Sequence, residues 1–166
     1  MFFFAYDVKG LCYLPNGSLV ACGGNNWGGP FLKVLSPSLE LVQTLVGHDS
    51  IVWCVTISPL GSHIASGDCH GKVMIWSESG EGGEWARVQV LHTGGIDAVC
   101  FSPDGKQLAT GSYKSIKTYN FNEGSAILAH TLEGHTILVR SLSFSPDCKL
   151  LCSGSEDKSI ATAQHR

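Results

Sequence analysis

Short apolar runs rich in β-branched and aromatic residues recur along this chain, and polar turn residues separate them. Four runs lie directly before a turn that contains proline, at 10–14, 52–57, 98–101 and 139–144. Four more follow these turns, at 19–22, 63–66, 107–110 and 150–153. Such runs on both sides of a turn predict β-hairpins, and no segment shows the apolar period of a helix, about 3.6 residues.

The turn prolines recur at a nearly constant interval. They are separated by 44, 44 and 43 residues, and they are Pro15, Pro59, Pro103 and Pro146. Proline fixes the backbone angle φ at the second position of a turn. The glycine that commonly follows is missing only from the fourth copy. A third strand is predicted at 31–35, 73–76 and 116–119, with a damaged version near Ile160, and a fourth at 39–45, 85–91 and 126–132. Four strands per repeat predict antiparallel sheets arranged in series.

Three histidines keep the same phase as the prolines. His48, His92 and His135 each stand 11 residues before a turn proline, and two of them follow a glycine. Together with the Ser-Pro-Asp-Gly turn and the closing aromatic residue, this order resembles the WD-repeat family over residues 10–160. The resemblance implies an all-β fold, a β-propeller of about four blades that is part of a larger ring of seven or eight. We expect a single partial propeller domain over 1–166, with repeat units at about 4–46, 47–91, 92–133 and 134–166.

The resemblance also implies a hydrogen-bond network in each repeat, which links the histidine to a serine or threonine, a tryptophan and a turn aspartate. The matching residues are His48, Ser66 and Trp76 in the second copy, His92, Thr110 and Tyr119 in the third, and His135, Ser153 and Asp157 in the fourth. His70 occupies the turn aspartate position of the second copy, two places after Asp68, and Ala163 occupies the tryptophan position of the fourth. The turn of the third copy is one residue short and has no aspartate, so we expect weaker anchoring there.

The sequence contains no motif for catalysis, a cofactor or a metal. A histidine, a serine and an aspartate could form a hydrolase triad, but their recurrence in successive units favours a structural role. There is no phosphate-binding loop and no nucleophile elbow. Cys69 beside His70, and Cys148 with Cys152, lack the paired spacing of a zinc site. We therefore expect a protein that is not an enzyme, with no catalytic residues, no cofactor and no metal.

The composition is that of a folded domain, part of whose surface we expect another protein or domain to cover. Of the 166 residues 43% are apolar and 15% are charged, below the roughly 25% of an average soluble domain. The net charge of −3 offers no basic stripe for nucleic acid. No apolar stretch reaches the length of a membrane span, about 18 to 20 residues, and the seven cysteines form no secreted disulfide framework. These features predict a cytoplasmic or nuclear protein that binds neither nucleic acid nor membrane.

One position of the repeat varies while its neighbours stay apolar. Six residues before the turn prolines stand Lys9, Trp53, Asp97 and Arg140. A residue that packs in a core is not expected to change charge and size between copies, and tryptophan and arginine often dominate binding interfaces. We expect these four side chains to share one exposed rim and to contribute to protein binding. The alternative is an ordinary solvated rim with Trp53 half-buried.

The predicted function is a protein-interaction scaffold or adaptor. The second interpretation is a propeller fragment of a larger multidomain regulator that recognises a peptide or a modified tail. An open array leaves an apolar sheet face at each end, which must be covered. We expect missing repeats, a second copy of the chain, or closure as a four-bladed ring, in that order. The strand pattern breaks off after Ile160 and residues 1–6 could pair with another blade, so a truncated or alternative product also fits.

Overall fold

The computed structural model describes residues 7–25, 27–79 and 83–164. Within these ranges the chain forms fourteen strands and no helix, and therefore no helix that could cross a membrane. The strands are β1 (Val8–Tyr13), β2 (Leu19–Asn25), β3 (Gly29–Leu35), β4 (Leu41–Thr44), β5 (Val52–Ile57), β6 (His63–Asp68), β7 (Lys72–Ser79), β8 (Glu84–His92), β9 (Ala98–Phe101), β10 (Gln107–Gly111), β11 (Tyr113–Asn122), β12 (Ser125–Phe144), β13 (Leu150–Ser155) and β14 (Ile160–Gln164). The strand expected at residues 1–6 lies outside the described residues.

The strands form antiparallel sheets in chain order. Strands β1 to β4 make the first four-stranded sheet, and β5 to β8 make the second. The remaining six strands share one sheet because β12 is 20 residues long. Its first part pairs with β11 and its last part pairs with β13. The fourth strand of the third unit and the first strand of the fourth unit, predicted as separate, are therefore continuous.

The sheets pack face to face in the order of the chain. Ile64 and Ala65 follow one another in β6 and so point to opposite faces of the second sheet. Ile64 shares a core with Leu32 of the first sheet, whereas Ala65 shares the next core with Leu108 of β10. A third core contains Leu151 of β13. Units stacked through both faces confirm the predicted all-β fold, a partial β-propeller.

The core aromatic residues occupy equivalent register positions. Trp76 in β7 lies opposite Ile64, and Tyr119 in β11 lies opposite Leu108. Both aromatic side chains are buried between units. In the fourth unit the residue at this position, opposite a buried leucine, is Ala163. The fourth unit therefore has a methyl group where the two preceding units have a ring.

The four proline turns close in the same way. Each is closed by a backbone hydrogen bond of 2.8 to 2.9 Å, donated by Gly17, Gly61, Gly105 and Cys148. All four donors have a positive φ, from 60° at Cys148 to 85° at Gly17. A side chain disfavours this left-handed conformation, which explains the glycine of the first three copies. The fourth turn forms without glycine, at a cost in backbone strain.

Candidate functional site

The four varied positions of the repeat lie together in the structure. Lys9, Trp53, Asp97 and Arg140 line one shallow depression, and we call this set the rim cluster. They belong to neighbouring units whose first strands run side by side, because β1 contacts β5, β5 contacts β9 and β9 contacts β12. The first three side chains are half-buried and Arg140 is exposed. The rim cluster thus spans all four units at one end of the sheets.

Three residues of the rim cluster sit at β-bulges. The register between β1 and β2 shifts between Val8 and Gly10, so Lys9 has no cross-strand partner. The same shift occurs around Trp53 in β5 and around Arg140 in β12. A bulge inserts one extra residue into a strand and redirects its side chain. The repeated bulges explain how residues of three separate strands come to line one depression.

Lys9 and Trp53 form one half of the rim cluster. Lys9 Nζ lies 4.8 Å from the centroid of the Trp53 ring, which is within the range of a cation–π contact. The same ammonium group pairs with Asp7 at 3.2 Å. This contact joins the first and second units and combines an aromatic surface with a positive charge.

Arg140 forms the other half and joins the third and fourth units. Its Nη1 donates to Asp97 Oδ1 at 2.5 Å, and its Nε donates to Glu156 Oε1 at 2.8 Å. Burial raises the pKa of Asp97, although Arg140 opposes that change. A guanidinium group held by two carboxylates has a defined orientation. Sequence reasoning missed Glu156, because it lies in a turn outside the varied position.

A buried network joins the predicted residues of the second copy. His48 Nδ1 lies 2.8 Å from Asp68 Oδ2, and His48 Nε2 lies 2.7 Å from Ser66 Oγ. Trp76 Nε1 donates to Ser66 Oγ at 2.9 Å. Burial lowers the pKa of His48, and the contacts with Asp68 only partly oppose this. The result is a continuous chain from carboxylate to imidazole, hydroxyl and indole.

Asp68 supplies the carboxylate of this network, because His70 occupies the turn position where an aspartate is expected. Its Oδ1 accepts hydrogen bonds from the backbone amides of His70 and Lys72, both at 3.0 Å. The second set is therefore completed from the end of β6. Because Val52 pairs with Asp68, the network holds the chain directly before Trp53 of the rim cluster.

The fourth copy forms the same network without a tryptophan. His135 Nδ1 lies 2.9 Å from Asp157 Oδ2, and His135 Nε2 lies 2.9 Å from Ser153 Oγ. Hydrogen bonds from Ser159, from the Thr136 amide and from His135 hold the pKa of Asp157 well below its usual range. This network fixes the turn that carries Glu156, the partner of the rim arginine.

The residues of the third set are not joined in this way. His92 is exposed at the end of β8, and within the part of the chain that the structure describes no hydrogen bond connects it to Thr110. The Thr110 hydroxyl is buried, and among the described residues it has no partner with regular hydrogen-bond geometry. Burial raises the pKa of Tyr119, which remains packed in the core. The third copy keeps the aromatic packing and a contact of Tyr119 with Thr110, but not the link to its histidine.

Three segments of the chain match the WD domain, G-beta repeat family, at residues 39–77, 85–120 and 127–161. The chain belongs to the WD-repeat family. Among curated WD-repeat relatives, the meiotic recombination protein rec14 of Schizosaccharomyces pombe is 30% identical over 152 residues, which cover 89% of this chain and 47% of rec14. The protein transport protein SEC13 of Coccidioides immitis is 33% identical over 122 residues, which cover 66% of this chain and 39% of SEC13. The WD repeat-containing protein SL1-17 of Schistosoma mansoni is 28% identical over 124 residues, which cover 73% of this chain and 39% of the relative. The chain therefore spans less than half the length of each of these relatives.

Members of the WD-repeat family are generally non-catalytic scaffolds that bind other proteins. The location of the histidine networks favours a structural role here as well. Ser66 is fully buried and accepts the indole N–H of Trp76, so its oxygen is not presented to solvent. Lys9, Trp53, Asp97 and Arg140, by contrast, line a depression that is open to solvent at the same end of the sheets.

Proposed function

We propose that this chain is a non-catalytic protein-interaction scaffold and that the rim cluster is its docking surface. The observation that carries the proposal is the convergence of one varied position per repeat on a single depression. These positions hold Lys9, Trp53, Asp97 and Arg140, and tryptophan and arginine are among the residue types that most often dominate binding energy. A scaffold of equivalent units with different rim residues can be specific for a partner while its core stays constant.

The rim cluster fits a protein segment that offers both an apolar group and charge. Trp53 supplies aromatic surface beside the Lys9 ammonium, and Arg140 supplies an oriented guanidinium beside two carboxylates. Because the depression is shallow, it resembles a contact surface for a protein more than an enclosed site for a small molecule. The contacts that hold Lys9 and Arg140 in place before binding reduce the cost of ordering them.

We also propose that the four units belong to a larger ring. The chain covers only 47% of rec14 and 39% of SEC13, so these WD-repeat relatives are long enough for further repeats. The end units of this chain then pack against additional repeats. We place such a scaffold in the cytoplasm or nucleus, within an assembly of proteins.

Protein capture from an extract of the source cells tests the docking surface. We expect Trp53→Ala and Arg140→Glu each to reduce the amount of the specifically retained proteins by about tenfold or more, because truncation of a central aromatic or arginine anchor commonly costs about 2 kcal/mol. The measurement is quantitative mass spectrometry of the bound proteins, followed by titration of the most strongly retained one.

Two variants at the opposite end of the sheets serve as matched controls. Leu60→Ala removes an apolar side chain that is 89% exposed, and Lys149→Glu reverses a charge that is 78% exposed. Both are expected to retain the same proteins as the unchanged chain. If the rim variants are folded by circular dichroism and still retain every partner, the rim cluster is not the docking surface.

A further inference from the structure

The contact between the third and fourth units contains a cavity of about 310 Å³. The equivalent place between the first and second units holds only about 70 Å³. The two cavities share repeat-equivalent lining residues: Thr131, Leu132, Gly134 and His135 in the larger, and Thr44, Leu45, Gly47 and His48 in the smaller. The walls are therefore alike at these four positions, whereas Pro30 and Phe31 line only the smaller cavity. One further residue of the repeat differs in size between the two units.

That residue is the aromatic side chain of the repeat. Trp76 is 2% exposed and packs in the core with Leu32 of the preceding unit. Ala163 occupies the same register position in the fourth unit, opposite Leu151, and it lines the larger cavity. The larger cavity thus lies where an indole ring stands in the second unit.

The cavity also contains a polar group in the position that an indole requires. In the second unit, Trp76 Nε1 donates to Ser66 Oγ. The equivalent Ser153 is 2% exposed, and its Oγ contacts His135 Nε2 at 2.9 Å and the Ala161 carbonyl oxygen at 3.3 Å. A hydroxyl oxygen has two acceptor sites. The described residues place no donor in the fourth unit where Trp76 donates in the second.

The cavity has a closed apolar wall and an open side. Ile116 and Leu151 line its interior and are both buried. Thr131, Glu133 and Thr162 also line it and are exposed, so the cavity opens to solvent between them. A ligand can therefore enter without separating the two units.

We propose that this cavity binds a planar aromatic group that carries one N–H or O–H donor, such as an indole. The ring packs against Ile116 and Leu151, and the donor bonds to Ser153 Oγ. The site is separate from the rim cluster and does not depend on the proposed docking function.

Calorimetric titration of the full chain with free indole tests the site. We expect saturable binding of indole and a binding about three- to tenfold weaker for indene, which has the same shape but cannot donate the hydrogen bond. N-acetyltryptophanamide distinguishes the sources of the group. If it binds as well as indole, the ligand is a tryptophan side chain of a peptide; if only indole binds, the ligand is a free small molecule.

Filling the cavity provides the second arm. Ala163→Trp and Ala163→Phe are each expected to abolish indole binding and to raise the melting temperature by a few degrees, because a filled cavity stabilises a core. Ala86→Trp is the matched control: it adds a tryptophan at an exposed position of β8 and should leave both quantities unchanged. The proposal would be overturned if indole showed no saturable binding to the folded chain. It would also be overturned if both filled variants bound indole as tightly as the unchanged chain does.

Discussion

The His48 network depends on a neutral imidazole ring. When Nδ1–H donates to Asp68, Nε2 is free to accept the Ser66 hydroxyl proton, and the Ser66 oxygen can then accept the indole N–H of Trp76. This order gives each polar atom of the chain a partner. A protonated ring has two N–H groups, so it would force Ser66 to accept twice and would leave the serine proton without its acceptor.

This dependence predicts that stability is lost in mild acid. Burial is the main cause that lowers the pKa of His48 from 6.5. The unfolded chain therefore takes up a proton near pH 6.5 that the folded chain takes up only at lower pH, and this difference favours unfolding as the pH falls. We expect the free energy of unfolding to be highest near pH 7 and to decrease below about pH 6.5. Urea unfolding at a series of pH values measures this free energy.

Two histidine variants identify the group responsible. His48→Gln should make the free energy of unfolding decrease less between about pH 6.5 and 5. Some decrease should remain, because burial also lowers the pKa of His63. His92→Gln is the matched control for the loss of an imidazole ring, since His92 is exposed and lies outside the His48 network. An identical pH dependence in the unchanged chain and His48→Gln would show that another group controls it.

At the scale of elements, the second strand approaches the next unit through a glycine in the second and third units. Gly67 and Gly111 occupy equivalent positions in β6 and β10. A Cβ atom on Gly67 would lie 2.4 Å from Ile96 Cγ2, and one on Gly111 would lie 2.9 Å from Val139 Cγ1. The equivalent Gly154 in β13 has its nearest contact at 3.9 Å. The glycine is therefore required sterically only where a following unit packs against it.

We expect Gly67→Ala and Gly111→Ala each to lower the free energy of unfolding by about 1 to 3 kcal/mol, the usual cost of overpacking a close contact. Gly154→Ala is the control within the same chain. It should change stability by less than about 1 kcal/mol, because its added methyl group comes no closer than 3.9 Å to a neighbour and restricts the unfolded chain. Urea unfolding of the three variants provides the comparison, and equal losses at all three positions would contradict contact between units as the cause.

The hairpins could be predicted because apolar alternation and turn chemistry act locally. Strands β5 (Val52–Ile57) and β9 (Ala98–Phe101) have the predicted bounds. Strand β12 does not, since the segment between its two predicted halves stays extended and Leu138 pairs with Tyr113 of β11. The bulges were also beyond prediction, because a register shift depends on which residue of the neighbouring strand is paired.

The rim cluster could be predicted only in part. The repeat period brings one residue of each unit to the same place. Sequence position alone therefore identified Trp53 and Arg140 as equivalent residues of their units. The carboxylates that complete the site follow no period: Glu156 reaches Arg140 from a turn, and Asp68 reaches His48 from a strand end. Only the folded backbone determines which carboxylate comes within hydrogen-bond distance.

At the scale of the whole molecule, the array of units has two end faces with apolar groups. Leu11 and Tyr13 of β1 are 57% and 72% exposed, and they lie on the opposite face from Cys12, which packs toward the second unit. Leu11 also lines the depression of the rim cluster. At the other end, Ile160 of β14 is 78% exposed. Apolar groups gathered at such faces are typical of surfaces that another unit covers.

These faces predict that the isolated chain associates with itself in a concentration-dependent way. Sedimentation velocity should show a mass above that of one chain, rising with concentration, because burial of the exposed apolar groups favours association. Replacing Leu11 and Tyr13 together by lysine should shift the chain toward the monomer by adding charge to one face. Leu60→Lys is the matched control, since Leu60 is equally apolar and 89% exposed but lies in a turn away from that face. A monomer at every concentration, with one cooperative melting transition, would instead show that four units suffice to cover their own surfaces.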